Sequence, residues 1–410
     1  MQPPVRALSV TRSESSIPLA GGVRAGHWVF VSGLLPHDLG DTARPRSGEV
    51  PWLTQAKSVW QGAAEILKSG GSDVSRIVRC DQFFEDWRAV PFFHQARRAA
   101  CGNYLAPSTS ILQPETIVPG AAMMMDMIAV ASDGPEIEPI FPKGLDTPST
   151  SSFVPVVKAG NLVFVAGFLA AHGEGDLGGV APEAKVPEGH LWKGNRIQFE
   201  TRYIIREKLV PALAGAGLGM KDVVKANVYL RDIDDVPAFN QIWAETFGAS
   251  IPATTFSPTS NPGFAIADSR IEINLIASTD RAGVARVEDN AAAAAVCDGH
   301  PVALRCGDLL LFSGIEASDR NGLIKGSGIE AQMEHLIGIA QATCEKAGTS
   351  LSNAVRIQQL HTDLADFLPA CRVWQRHFPD LPLPISAARV PGPLIVPGCT
   401  VQFDLWVYAP

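Results

Sequence analysis

The chain has 410 residues, 46% of them apolar, and its 34 basic and 42 acidic side chains give a net charge of −8. That length exceeds one ordinary domain and predicts two or three, each with a sizeable core. The acidic balance, with no run of Lys and Arg, excludes the basic face that a nucleic-acid or anionic-membrane partner requires.

In chain order, MQPPVRALSVTRSESSIPLAGG lacks the apolar core of a signal peptide. No stretch reaches the roughly 18 uninterrupted apolar residues of a transmembrane helix. The seven cysteines (Cys80, Cys101, Cys297, Cys306, Cys344, Cys371, Cys399) form no CxxC pair, which argues against a disulfide framework and a zinc site. A reducing, cytoplasmic location is expected.

VRAGHWVFVSG at 23–33 then reads as a strand. Near-copies follow at 157–167 (VKAGNLVFVAG) and 304–314 (LRCGDLLLFSG). Each is a continuous apolar run with β-branched and aromatic residues, as in a strand covered on both faces. Polar, Gly/Pro-rich stretches (34–52, 168–198, 315–329) come next and differ most between copies. A second block aligns without gaps over Leu53–Gly102, Phe199–Gly248 and Glu330–Pro379. It begins with a helix: in the third copy Met333, Leu336, Ile337, Ala340 and Cys344 fall at helical spacing. Gly71, Gly217 and Gly348 coincide as helix stops. Val78, Val224 and Val355 coincide too, each followed by a base (Arg79, Lys225, Arg356).

DVVKANVYL (222–230) alternates as a strand, and VPAFNQIWAETFG (236–248) is a second amphipathic helix. Each copy closes on a strand: AAMMMDMIAVAS, SRIEINLIAST and CTVQFDLWVYAP. Pro/Ser/Thr-rich 132–152 and polar, then Ala-rich 278–299 read as exposed linkers, the Ala run with room for a helical turn.

The expected organisation is therefore three tandem β-β-α-β-α-β-β domains at 1–135, 136–280 and 281–410. Helices cover one face of each sheet. The other face is also apolar and must be covered, so the copies pack around a common axis as a single-chain pseudo-trimer.

AGNLVFVAG, EAQMEHL, VVKANVYLRDIDDVPAFNQIWAETFG, IPAT and IEINLIA together resemble the Rid (YjgF-type) enamine and imine deaminases. The resemblance implies an α+β, chorismate-mutase-like fold, ligand clefts between neighbouring units, and no metal or organic cofactor. The family's catalytic arginine follows a PA pair, and the matching places hold Thr109, Thr254 and Ser386. None carries a guanidinium, and a hydroxyl cannot make Arg's two-point fork on a carboxylate. Arg389 is a candidate substitute. The family's water-orienting carboxylate corresponds to Asp126 and Asp404, with Asn274 in the second repeat and Glu272 two residues earlier. A helix asparagine persists as Asn240 and becomes His94 and Cys371 elsewhere. The serine ending the first strand is Ser32 or Ser313, with Ala166 in the second copy.

Asp126 and Asp404 stand between apolar neighbours, where desolvation raises a carboxyl pKa toward use as a proton shuttle. The alternative is a buried structural Asp at the seam. His94 is a candidate base or donor, Glu272 a candidate acid or base, and Ser32, Ser313, Thr109, Thr254, Ser386, Asn240 and Arg389 candidate ligand-binding groups. Cys371 reads as an apolar-type core cysteine, HTD (361–363) as a loop, GAGLG (215–219) as a helix end, and Trp28, Trp192 and Trp243 as packing, Trp192 with the option of lidding a cleft.

The expected function is cofactor-independent hydrolysis of a C–N bond in a small nitrogenous substrate bound between repeats. Chorismatase-like hydrolysis of an enol ether, favoured by clustered arginines, and non-catalytic binding are the alternatives. No nucleic-acid or membrane partner is expected, and the assembly is either the pseudo-trimer or a dimer of pseudo-trimers.

Overall fold

The computed structural model describes all residues except 1–3, 13–17, 41–47, 148–152, 174–178, 190–191, 288–296, 298 and 320. The first repeat contains β1 (Val5–Arg12), β2 (Pro18–Ala25), β3 (Trp28–Leu34), α1 (Pro51–Ser69), β4 (Ile77–Phe84), α2 (Val90–Cys101), β5 (Ser108–Leu112), β6 (Glu115–Thr116) and β7 (Met123–Val130). The second contains β8 (Ile137–Ile140), β9 (Val156–Ala159), β10 (Leu162–Leu169), α3 (Arg196–Tyr203), α4 (Val210–Gly215), β11 (Val223–Leu230), α5 (Val236–Phe247), β12 (Ala253–Pro258) and β13 (Ile271–Ser278). The third contains β14 (Val284–Val287), β15 (Ala303–Cys306), β16 (Leu309–Phe312), β17 (Ile315–Glu316), α6 (Ile329–Lys346), β18 (Ala354–His361), α7 (Phe367–His377), β19 (Ile385–Arg389) and β20 (Val401–Tyr408).

The three sheets share one strand order: β1-β2-β3-β7-β4-β5, then β8-β9-β10-β13-β11-β12, then β14-β15-β16-β20-β18-β19. In each, the last two strands run parallel and are joined by a helix. An edge strand precedes the expected order in every copy. β8 and β14 form in segments that their polar composition marks as linkers, because each finds an antiparallel partner in β9 or β15. The Ala run, including any helical turn in it, lies outside the described residues.

The helices of each repeat cover one face of their own sheet over a separate apolar core. The opposite faces meet in a further core shared by all three repeats, with Trp28, Phe164 and Trp406 packed beside Val78, Val224 and Val355. The single-chain pseudo-trimer follows from this shared core.

The three valines and the bases after them break strand alternation. The β4, β11 and β18 ladders slip at Val78, Val224 and Val355, where a bulge inserts one extra residue. Valine and base therefore both face the axis. Gly71, Gly217 and Gly348 end the long helices at φ of 76°, 72° and 74°, a region where a side chain is strained. Among the described residues, no helix is long and apolar enough to cross a membrane.

Candidate active site

Along the axis the bulges gather a buried ionic network. Arg356 reaches Asp81 at 2.8 Å, Asp126 at 3.6 Å and Asp404 at 3.8 Å. Arg79 Nε pairs with Asp81 at 2.9 Å, and Lys225 Nζ with Asp404 at 2.8 Å. Asp404 also accepts from Asn227 Nδ2 at 3.0 Å and Thr255 Oγ1 at 3.2 Å. Asp126 accepts from Gly33 N–H (2.7 Å), Ser386 Oγ (2.9 Å) and Gln358 Nε2 (3.1 Å). Burial raises the Asp126 carboxyl pKa, with Arg356 only partly opposing it. At Asp404 burial also pushes upward, but Lys225 and Arg356 outweigh it and hold the group below the usual carboxylate range. Neither aspartate lines the cavity described next, and both act at the seam between repeats.

That cavity, of about 390 Å³, opens where the first repeat meets the second. One wall is α2 and β5, with His94, Arg97, Arg98, Ser108 and Ser110; the other is β10, β13 and Lys208. Glu272 enters from β13. It is 5% exposed, and no hydrogen bond or ion pair engages its carboxylate among the described residues. Burial, and then the negative charge of Asp81, push its pKa up to about 8. Gly167 lies in the bulge between Val165 and Phe168, and a Cβ there would collide with Glu272 Oε1 and Thr109 Oγ1. His94 keeps surface open to the cavity, yet the protein packed around it, with Arg97 and Arg98, lowers its pKa to about 4. It is therefore a neutral imidazole near pH 7.

Lys208 arrives by a local distortion. Residues Ile204–Leu209, between α3 and α4, form a π-turn in which Val210 N–H bonds to Ile205 O. Pro211 follows; it has no N–H to continue the regular ladder, and its ring crowds the carbonyl four residues back. On the widened turn, Lys208 Nζ donates to Asp146 O at 2.7 Å and pairs with Asp146 Oδ2 at 3.3 Å.

Strand register separates the hydroxyl candidates. Thr109 pairs with Asp81, Thr255 with Asn227 and Ser386 with Gln358. Thr254 is displaced by one residue from that set, and a one-residue offset turns a side chain to the other face. It lies instead in register with Ser108 and Ile385. Its hydroxyl donates to Pro252 O at 2.9 Å and accepts from Trp243 Nε1 at 3.3 Å. Thr109 Oγ1 accepts from Asn274 Nδ2 of the second repeat at 2.8 Å.

At the other two seams the described residues make direct contacts across the joint. Between the second and third repeats, Ser313 Oγ donates to Pro301 O (2.6 Å) and accepts from Thr254 N–H (3.1 Å). Gly314 N–H donates to Thr254 O at 3.0 Å. There Asn240 Oδ1 contacts His300 Nε2 at 2.7 Å. Between the third and first, Ala20 N–H donates to Leu383 O at 3.0 Å, and β6 adds itself to the third sheet against β19. Ser32 is buried at the end of β3, in the first repeat. Glu272 has no counterpart at these seams; Met124 and Gln402 hold its places on β7 and β20.

Arg389 is exposed, pairs with Glu115 at 3.5 Å and does not substitute for a cleft guanidinium. His361 is buried against Gln359, and Asp363 accepts from Ala365 N–H at the start of a helical turn. Cys371 is buried, and burial pushes its thiol up to about 12. Trp28 and Trp243 are fully buried, whereas Trp192 is 98% exposed, which corrects its reading as a packing residue.

Sequence reasoning missed Arg97, Arg98, Lys208, Ser108 and Ser110. The ungapped block held one usable signal: Arg97 stands where the other copies carry tryptophan.

A family model described as endoribonuclease L-PSP matches the chain three times, at 11–131, 145–279 and 291–401. A RutC family protein of Pyrococcus horikoshii is 35% identical over 97 residues, covering 24% of this chain and 65% of its own length. The chain thus spans just under two thirds of that relative. The 3-aminoacrylate deaminase RutC of Acinetobacter baylyi is 34% identical over 116 residues, covering 28% of this chain and 79% of its own. Among solved structures, a YjgF/YER057c/UK114 family member from Mycobacterium tuberculosis shares 24% identity, covering 31% of this chain and 99% of its own, with a TM-score of 0.26. A chorismatase shares 12% identity, covering 67% and 80% respectively, with a TM-score of 0.46.

Proposed function

The chain belongs to the endoribonuclease L-PSP family, the Rid or YjgF-type proteins, and on that premise we propose that it hydrolyses the C–N bond of a small enamine or imine in the cleft between its first two repeats. The 3-aminoacrylate deaminase among its relatives supports that class of reaction. The observation that carries the proposal is Glu272, a carboxyl in the cavity wall with no partner among the described residues, raised to about 8 and so protonated at neutral pH. It replaces Asp126 and Asp404 in the role of proton shuttle, because both are committed to the axis.

The steps follow from that protonation state. Glu272 gives its proton to the β-carbon of the enamine, and the nitrogen lone pair closes a C=N bond. The resulting carboxylate takes a proton from water as the water oxygen adds to the C=N carbon. Glu272 passes that proton to the carbinolamine nitrogen, and as the C–N bond breaks and ammonia leaves, the hydroxyl returns its proton to Glu272 and becomes the carbonyl. Neutral His94 is placed to pass protons or to hold the water.

A screen for ammonia release over enamines, imines and lactams tests the proposal. Glu272→Gln should lose roughly 10²–10⁴-fold in turnover, and Asp126→Asn should keep it per folded molecule. Full turnover in Glu272→Gln would retire the mechanism.

The grouping of Arg97, Arg98 and Lys208 in this one cleft favours a second reading, hydrolysis of an enol ether bearing carboxylates. It begins with the same carbon protonation and releases a keto acid and an alcohol in place of ammonia, so product analysis separates the two. Non-catalytic binding matches the aspartates turned away from the cavity, but gives no reason for a carboxyl inside it that has no partner among the described residues.

A further inference from the structure

One position on the second helix differs between the repeat that walls this cleft and the other two. In the ungapped alignment of the repeats, Arg97 falls where the other two carry Trp243 and Trp374. Both tryptophans are fully buried beneath their helices. Trp243 Nε1 donates to Thr254 Oγ1 at 3.3 Å. Arg97 mirrors that contact: its Nη1 donates to Ser108 Oγ at 3.0 Å, and register places Ser108 as the counterpart of Thr254. The first repeat thus substitutes a guanidinium for an indole in an otherwise matching setting.

The substitution is incomplete as it stands. Arg97 is 4% exposed. Its Nη2 donates to Ala106 O at 2.6 Å, its Nε has no partner, and no carboxylate lies within ion-pair distance among the described residues. A guanidinium buried against neutral acceptors alone carries an uncompensated desolvation penalty of roughly several kcal/mol. An anion in the cavity that Arg97 lines would offset that penalty with a charge-assisted bond. Glu272 cannot serve while it is protonated.

We propose that Arg97 is the anion seat of the cleft, holding the carboxylate of a ligand whose apolar body packs against Phe153, Phe168, Leu169 and Ile266. The strand places that match the family arginine hold Thr109, Thr254 and Ser386, so the guanidinium here comes from the helix. The cavity of about 390 Å³ is far larger than a three-carbon acid needs, which points to an unsaturated or aromatic carboxylate. Such a ligand binds once per chain, because the other two seams carry tryptophan at this place. The proposal rests on reading this cleft as the active site, but it concerns what the cleft binds.

Cinnamate is a suitable unreactive probe for the full-length chain, followed by titration calorimetry and saturation-transfer NMR. Wild type should bind one cinnamate per chain, and the neutral cinnamamide at least tenfold more weakly. Arg97→Trp restores the residue of the other repeats and should keep the melting temperature while abolishing binding. Arg97→Lys keeps charge without the fork and should bind at least tenfold more weakly than wild type. Glu272→Gln should still bind. Equal binding by Arg97→Trp, equal binding of cinnamamide, or preferential binding of phenyl phosphate would overturn the seat. Ammonia release that survives Arg97→Trp sinks the seat and leaves the reaction standing. Cinnamate binding that needs Arg97, with no ammonia from any enamine, does the reverse.

Discussion

Replacing Glu272 with glutamine should stop turnover and, at neutral pH, stabilise the fold. In the folded chain the Glu272 carboxyl titrates at about 8, raised from 4.5 by burial and by Asp81. Between those values the folded state keeps a proton that the unfolded chain has released. Because the folded pKa is the raised one, the associated stability is fully present below about 4.5 and is lost as pH climbs toward 8. The loss is ~1.4 kcal/mol per pH unit. By pH 7 wild type has lost about 3 kcal/mol that a non-ionising glutamine retains. Urea unfolding of both proteins at half-unit steps from pH 5 to pH 8 reads the difference. The variant's advantage should be under ~1 kcal/mol at pH 5 and reach about 3 kcal/mol at pH 7. A gap that stays constant with pH would show that Glu272 ionises alike in both states. That result would refute both its protonation in the cleft and its use as a proton donor.

Asp404→Asn removes the charge facing Lys225 and Arg356 and leaves buried cations short of a partner; unfolding measurements should show a loss of ~3–5 kcal/mol, with turnover per folded molecule unchanged. Thr254→Val strands the Trp243 indole N–H and should cost ~1–3 kcal/mol, again without touching the cleft chemistry. His94 should stay neutral: an NMR titration should find its imidazole unprotonated down to about pH 4, and a midpoint near the ordinary histidine value would mean that the cleft is wetter than its packing implies.

The fold was legible because its hydrophobic spacing is written three times, and each copy confirms the others. The axis network was half legible. Arg79, Lys225 and Arg356 stand out by their recurrence, but strand alternation would turn either the valine or the base away, and only the bulge lets both face inward. Thr254 misled because the alignment was keyed to proline, whereas the hydrogen-bond ladder sets the face. In the second repeat the strand enters one residue later relative to that proline. Glu272 was visible as an acid on the right strand. That it, and neither aspartate, meets the cavity depends on where two repeats touch, which no single repeat encodes. Arg97 reads as an ordinary helix-face charge until the seam shows that no carboxylate among the described residues pairs with it.

The axis gives a reason for fusing the repeats. Its three bases come one from each copy, but its carboxylates do not: Asp81 and Asp126 belong to the first repeat, Asp404 to the third, and the second offers Asn227 and Asn274 at the same levels. The first repeat therefore carries one excess negative charge into the core, the second one excess positive charge and the third none, so the excesses of the first two cancel in the assembled chain. Three identical copies of the first would bury three excess carboxylates, and three of the second would bury three excess ammonium groups, a large penalty in a low-dielectric core. Covalent linkage keeps the unequal copies together in a fixed order. With that order fixed, the seams are free to diverge, and the seam between the first two repeats holds a cavity with Arg97 on one wall and Glu272 on the other.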